Sequence, residues 1–237
     1  ALIRELALAK QSLTFDRRVR TMLHSPPEAA LLREPDVLDS SACESLQRAL
    51  DADASVRAGL TDGMPEHTLH LEMDELQSLI GHERLEKLMA LPARYLRQAA
   101  AAAAAATSSS RTAQRSGEHE HAFSSTPPHV VEIFVRRFSE STRPWIKLHA
   151  DVAALTVNVA LTAEGDEEAS LERGDAARGA GGRLLTVYDG AVQTVARRAG
   201  EATVHPSSLL HGVSRIHGEG TRYTLIAFFG NRVGGRG

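Results

Sequence analysis

Two imidazoles, a carboxylate and a guanidinium stand out in this chain. His149 and Asp151 form an H-x-D pair, His211 follows far along the sequence, and Arg222 lies a short way beyond it. These are the ligand types of a 2-His-1-carboxylate facial triad, which holds non-haem Fe(II) and leaves three coordination positions open. The arginine adds a cation for an anionic co-substrate, so the chemistry to expect is oxidative. Alternate residues of a strand point to one face, so His149 and Asp151 can reach the same ion if their strand runs on through Ala150. His211 must then be folded onto them from a distant strand. Arg222, on the strand after that, would offer a planar fork of donors to a carboxylate inside the barrel. Taken singly, each histidine reads as a surface or core residue and an isolated H-x-D arises often by chance; the order of the four carries the reading.

The elements that must position these side chains lie in the second half of the chain. Short β-rich runs are expected at 130–138, 145–149, 154–161, 183–188, 202–205, 209–216 and 222–229, separated by turn residues such as Gly181, Gly182, Asp189, Gly190, Gly200 and Gly218. That many short strands over so few residues predicts a barrel or a jelly roll of two facing sheets. Residues 162–180 break the pattern with Glu164, Asp166, Glu167, Glu168, Glu172 and Asp175, and read as a solvated acidic loop that would serve as a lid over the barrel mouth.

The first half reads as helical. Leu76, Leu79 and Ile80, then Leu85, Leu88 and Met89, repeat at helical spacing, and 2–23 and 37–60 carry similar patterns punctuated by Pro26, Pro27 and Pro35. The alanine tract 99–106 favours helix but has no apolar anchors, so a frayed helix running into a disordered linker is expected. The predicted organisation is a helical region over 1–106, a linker over 107–128 and a β core over 129–237, an α+β fold.

Composition narrows the function further. A hydrophobic share of 42% and a charged share of 24% are those of a globular protein, and no apolar run is long enough to span a membrane. The net charge of −3 gives no electrostatic reason to expect nucleic acid. Cys43 is the single cysteine, so His and carboxylates are the metal ligands on offer. The chain opens at Ala1 without a secretory leader and is read as a piece of something longer, its compartment not legible.

The stretch from His205 through His211, Arg222 and Phe229 resembles the C-terminal signature of the prolyl 4-hydroxylase-like 2-oxoglutarate/Fe(II) dioxygenases. Upstream, Arg136, Arg137 and Phe138, then Leu148, His149 and Asp151, resemble the family's R-Y and L-x-x-H-x-D elements. Leu155, Thr156 and Leu161, with Gly181, Gly182 and Leu184, match its L-T-x-x-x-x-L and G-G-x-L elements. The resemblance spans about residues 130–229. It implies a double-stranded β-helix (jelly-roll) core, Fe(II) on His149, Asp151 and His211, and the 2-oxoglutarate C5 carboxylate on Arg222, with Thr156 and Thr224 as further co-substrate contacts. It also implies release of succinate and CO2, hydroxylation of a C–H bond in a prolyl or other residue of a protein or peptide, and ascorbate as a reductant for oxidised iron. The chain departs from the family at Arg215, where a proline is usual, and at Phe138, where tyrosine is common.

Rival readings are a catalytically silent β-barrel binding module, a dioxygenase acting on a small molecule, and a cupin-like metalloenzyme working without 2-oxoglutarate. Among other residues, His119, Glu120 and His121 read as part of a polar linker, His67 and His70 as surface residues near a helix start, and His205 as a substitute distal ligand only at a pinch. Trp145 reads as packing at the core or the mouth. Ser207 and Ser208 lack the G-x-S-x-G elbow of a hydrolase.

Overall fold

Strand β11 (Thr221–Gly230) shows the rule on which the fold is built. Its even-numbered residues Arg222, Thr224, Ile226 and Phe228 line an internal cavity, while Tyr223, Leu225, Ala227 and Phe229 belong to an apolar core on the opposite face. A strand alternates its side chains between faces, so a strand covered on both sides reads as almost continuously buried. Strand β6 (Leu155–Ala160) is buried at every position for the same reason.

In the computed structural model the described residues are 31–53, 59–61, 64–109, 128–164, 181–188, 191–218 and 220–230. The other strands are β1 (Leu32–Glu34), β2 (Gly59–Thr61), β3 (Met64–His70), β4 (His129–Ser139), β5 (Ile146–His149), β7 (Leu184–Tyr188), β8 (Ala191–Val195), β9 (Ala202–Pro206) and β10 (Leu210–Val213). The helices are α1 (Ser40–Ala52), α2 (Met73–Ile80) and α3 (His82–Ser109). The strands form two antiparallel sheets, one in the order β1-β9-β6-β11-β4-β3-β2 and one in the order β5-β10-β7-β8. The sheets face each other as a jelly roll and are not closed into a barrel.

The outer face of the large sheet buries the helices. Asp39 caps α1 by accepting from the Ala42 amide at 2.9 Å, and Leu46 and Leu50 then fall on one stripe. Leu85, Leu88, Leu91 and Tyr95 form the matching stripe of α3, and with Leu76 and Ile80 of α2 they pack on Ile133, Val135, Val157 and Leu225. Each fully buried leucine contributes about 1.5–3 kcal/mol by leaving water.

The region expected to be wholly helical also supplies strands. β1 pairs with β9, and β3 pairs with β4 with His67 opposite Arg137 and His70 opposite Phe134. These two strands fall in the gaps between the stretches with helical spacing, where the chain extends the edges of the large sheet. His67 and His70 therefore lie on β3. Helix α3 runs through Pro92 and the alanine tract to Ser109, where a frayed end was expected. The expected helix over 2–23, most of the linker and the His119, Glu120 and His121 group lie outside the described residues. No helix among the described residues is long and apolar enough to cross a membrane.

Candidate metal centre

His149 closes β5 and His211 is the second residue of β10, and the two are direct register partners. Their rings stand 4.4 Å apart between centroids. Neighbouring strands bring opposed residues to the same face, so one pairing step assembles two donors from distant sequence. Asp151 arrives differently. The strand ends at His149, short of Ala150, and the chain bends so that the Asp151 amide donates to the Ser207 carbonyl at 3.1 Å. Its carboxylate accepts from the Thr156 hydroxyl of β6 at 2.5 Å, which ties it to the large sheet. The expected strand geometry is thus replaced by two hydrogen bonds that reach the same result. Asp151 Oδ1 lies 3.4 Å from His149 Nε2 and Oδ2 lies 3.5 Å from His211 Nε2. The ligand atoms of the three residues all fall within 4.8 Å of one another.

The donor set fits a divalent cation. His149 Nδ1 is 2.9 Å from the Lys147 carbonyl and His211 Nδ1 is 3.1 Å from the Leu209 carbonyl. A carbonyl only accepts, so Nδ1 carries the proton in each neutral ring and the Nε2 lone pair is turned to the carboxylate. Lone pairs and a carboxylate facing one another call for a positive charge between them. An octahedral ion with ligands at about 2.1 Å spaces adjacent donors about 3 Å apart, close to what is found.

Protonation states agree with this. Burial works to raise the Asp151 pKa, yet the His149 hydrogen bond and the neighbouring His211 and His205 hold it well below the usual carboxylate range. His211 is pushed down to about 3, by burial and then by His205 beside it. His149 is also opposed by burial, but its bonds to Asp151 and to the Lys147 carbonyl leave its pKa raised. Asp151 and His211 therefore stand in their ligating forms at neutral pH.

A cavity of about 350 Å³ lies between the sheets, with these three side chains at one end and Arg222, Thr224 and Asn158 along its wall. Arg222 is 5% exposed, and its guanidinium carbon sits 5.4 Å from the centre of the Phe138 ring. The phenyl ring thus offers the arginine a π face. Burial lowers the Arg222 pKa to about 10, with Glu164 opposing the shift, so it remains a cation at neutral pH. Its Nη2 forms an ion pair with Glu164 Oε1 at 2.6 Å, and none of its three nitrogens has a partner in hydrogen-bond geometry among the described residues. Thr224 Oγ1 lies 2.6 Å from Asn158 Oδ1 and 3.0 Å from the Val159 carbonyl. Like Thr156, it lines the cavity with its one proton already given to the protein.

Glu164, Arg197 and Asn158 were not singled out as members of this site by sequence, and His205 was weighed there only as a substitute distal ligand. Glu164 was counted with a solvated acidic loop, and the structure corrects that: its side chain is fully buried against Arg197 and Arg222. Nothing in the sequence of an acid-rich stretch marks Glu164 as an acid that turns inward. His205 is fully buried with its ring centroid 4.4 Å from that of His211, and its Nε2 has no partner among the described residues. Its ligand atoms are not among the three that converge. His70 is exposed on the rim, paired with Glu132 at 3.1 Å. Trp145 is half-buried away from the cavity lining, Ser207 and Ser208 form the β9–β10 turn, and Arg215 is exposed.

No protein-family model matches the sequence, and no curated protein matches it. Solved structures do. A Pseudomonas putida prolyl-4-hydroxylase superposes with a TM-score of 0.53 at 11% identity, covering 90% of this chain and 99% of that one. HygX from Streptomyces hygroscopicus, with nickel and 2-oxoglutarate bound, gives 0.52 at 14% identity over 90% and 87%. A prolyl hydroxylase from Trichoplax adhaerens, in complex with a hypoxia inducible factor peptide fragment, gives 0.51 at 12% identity over 91% and 90%. The chain therefore has the jelly-roll fold of the prolyl hydroxylases and other 2-oxoglutarate/Fe(II)-dependent oxygenases.

Proposed function

We propose that the chain is an Fe(II)- and 2-oxoglutarate-dependent dioxygenase that hydroxylates a C–H bond, with a prolyl or other residue of a protein or peptide as its substrate. The observation that carries this is the convergence of His149 Nε2, Asp151 and His211 Nε2 at one end of a cavity whose wall holds the buried cation Arg222. On this reading, bound Fe(II) and 2-oxoglutarate supply dioxygen activation coupled to decarboxylation: one oxygen atom enters succinate, released with CO2, and the other becomes the product hydroxyl. The chain's own part is binding and exclusion. His149, Asp151 and His211 hold the ion on one side only, Thr156 fixes the carboxylate, and Arg222 takes the distal carboxylate of the keto acid, while the apolar walls Phe138, Ile146 and Leu184 keep water out. Residues 129–237 would form the catalytic core, preceded by the connection 107–128 and the bracing region 1–106. Ascorbate, as the reductant that restores oxidised iron, belongs to the same proposal.

The test is incubation with Fe(II), ascorbate and labelled 2-oxoglutarate, reading succinate with and without prolyl peptides. Release of succinate even without substrate is expected. If no succinate forms and no iron is retained, the chain is a binding module. Arg222→Ala is expected to raise the KM for 2-oxoglutarate about a hundredfold. Activity indifferent to that change would point instead to a metalloenzyme that does not use the keto acid. A small-molecule dioxygenase would release succinate but leave every peptide unmodified.

A further inference from the structure

Arg222 does not stand alone. The Glu164 and Arg197 side chains are both fully buried, and Glu164 Oε1 accepts from Arg197 Nη2 at 2.7 Å and Nε at 3.2 Å while lying 2.6 Å from Arg222 Nη2. The Glu164 amide also donates to the Arg197 carbonyl at 2.9 Å, so backbone and side chain lock together. Arg197 Nη1 reaches the Asn158 carbonyl at 2.9 Å, Asn158 Oδ1 at 2.8 Å and Thr203 Oγ1 at 3.2 Å, which anchors the group to β6 and β9. Neither Glu164 nor Arg197 lines the cavity, whereas Arg222, Asn158 and Thr224 do. The carboxylate thus approaches Arg222 from outside the cavity and does not fill the space a ligand would take.

A buried ion group is costly to desolvate and is weak as a device for stability alone, so its geometry points to another role. The arginine arm is confined by Gly182, where an added Cβ would come within 3.1 Å of Arg222 Cδ, and the guanidinium head lies against the Phe138 ring, with Glu164 as its one charged partner among the described residues. Two guanidiniums against one carboxylate also leave a surplus of one positive charge, enough for one incoming carboxylate.

Resting on the reading of Arg222 as the keto-acid anchor, we propose that Glu164, itself held by Arg197, is a positioning residue that fixes Arg222 and leaves its Nε and Nη1 to the distal carboxylate of a short 2-oxo dicarboxylic acid. Calorimetric titration of 2-oxoglutarate into the Ni(II)-loaded full chain tests this without turnover. Glu164→Gln is expected to weaken 2-oxoglutarate binding about tenfold while leaving Ni(II) affinity unchanged. Removal of a negative charge acting by electrostatics alone would tighten binding instead. Unchanged or tighter binding by Glu164→Gln, alongside a large loss in Arg222→Gln, would overturn the positioning role and leave the anchor standing. Wild-type affinity in Arg222→Gln would overturn the anchor itself. Should Glu164→Gln fail to fold, Arg197→Lys keeps a cation on Glu164 but loses the fork to Asn158 and Thr203. It is expected to weaken 2-oxoglutarate binding several-fold, and wild-type affinity there would overturn the proposal.

Discussion

His149, Asp151 and His211 reach their ligating forms at different pH, and the difference is measurable. Burial keeps His211 neutral and its neighbours keep Asp151 ionised, but His149 has a raised pKa and must give up a proton to coordinate. Ni(II) affinity is therefore expected to fall about tenfold per pH unit as pH drops below the raised His149 value. Calorimetry in buffers of differing ionisation enthalpy should count close to one proton released per ion at a pH below that value. A pH-independent affinity between pH about 5 and 8 would contradict the assignment of His149. The Thr156 hydroxyl, 2.5 Å from Asp151 Oδ2, orients the carboxylate. Thr156→Val keeps the volume and removes that bond, and a loss of about 10–100-fold in metal affinity is expected on titration.

At the level of elements, two glycines govern different junctions. Gly212 follows His211 in β10, and a Cβ there would come within 2.7 Å of the Ile146 carbonyl on β5. Gly212→Ala should push β5 away from β10 and separate His149 from His211, so metal affinity falls together with a stability loss of about 1–3 kcal/mol. Gly200 has φ of 82°, donates its amide to the Ala160 carbonyl at 2.7 Å and accepts from the Val37 and Leu38 amides, and a Cβ there would lie 1.9 Å from the Leu38 carbonyl oxygen. Gly200→Ala is expected to cost 2 kcal/mol or more, about the upper range for a strained position, and to leave the metal affinity of the folded fraction unchanged. Denaturant melts paired with Ni(II) titrations separate the two outcomes.

For the whole molecule, the large sheet is a wall between two functions: helices on one face stabilise it, and the cavity occupies the other. Leu88 is fully buried in the helical layer. Leu88→Ala should cost about 2–5 kcal/mol while preserving the 2-oxoglutarate affinity of folded protein, as read by denaturant melts and calorimetry. The buried Glu164 group ties stability to pH. Its folded pKa is held below 4.5, so its carboxylate contributes fully above that value and the contribution is lost as pH falls through the folded pKa. Acid unfolding of Glu164→Gln should accordingly be less steep below pH about 4.5 than that of the parent chain.

What sequence by itself determined follows from short-range rules. Turn glycines and alternating apolar residues located the strands from β4 onward, apart from β8, and the H-x-D pair with its distant His and Arg named side chains that the fold does bring into one cavity. Tertiary structure decided the rest, because the deciding partners are remote in sequence. The open sheet edges drew β1 and β3 out of the gaps between stretches patterned for helix. Asp151 is placed by Ser207 and Thr156, not by its own strand. Glu164 is singled out of an acidic stretch only by two arginines that the sheets carry to it, since desolvating a carboxylate is tolerable only where countercharges already wait.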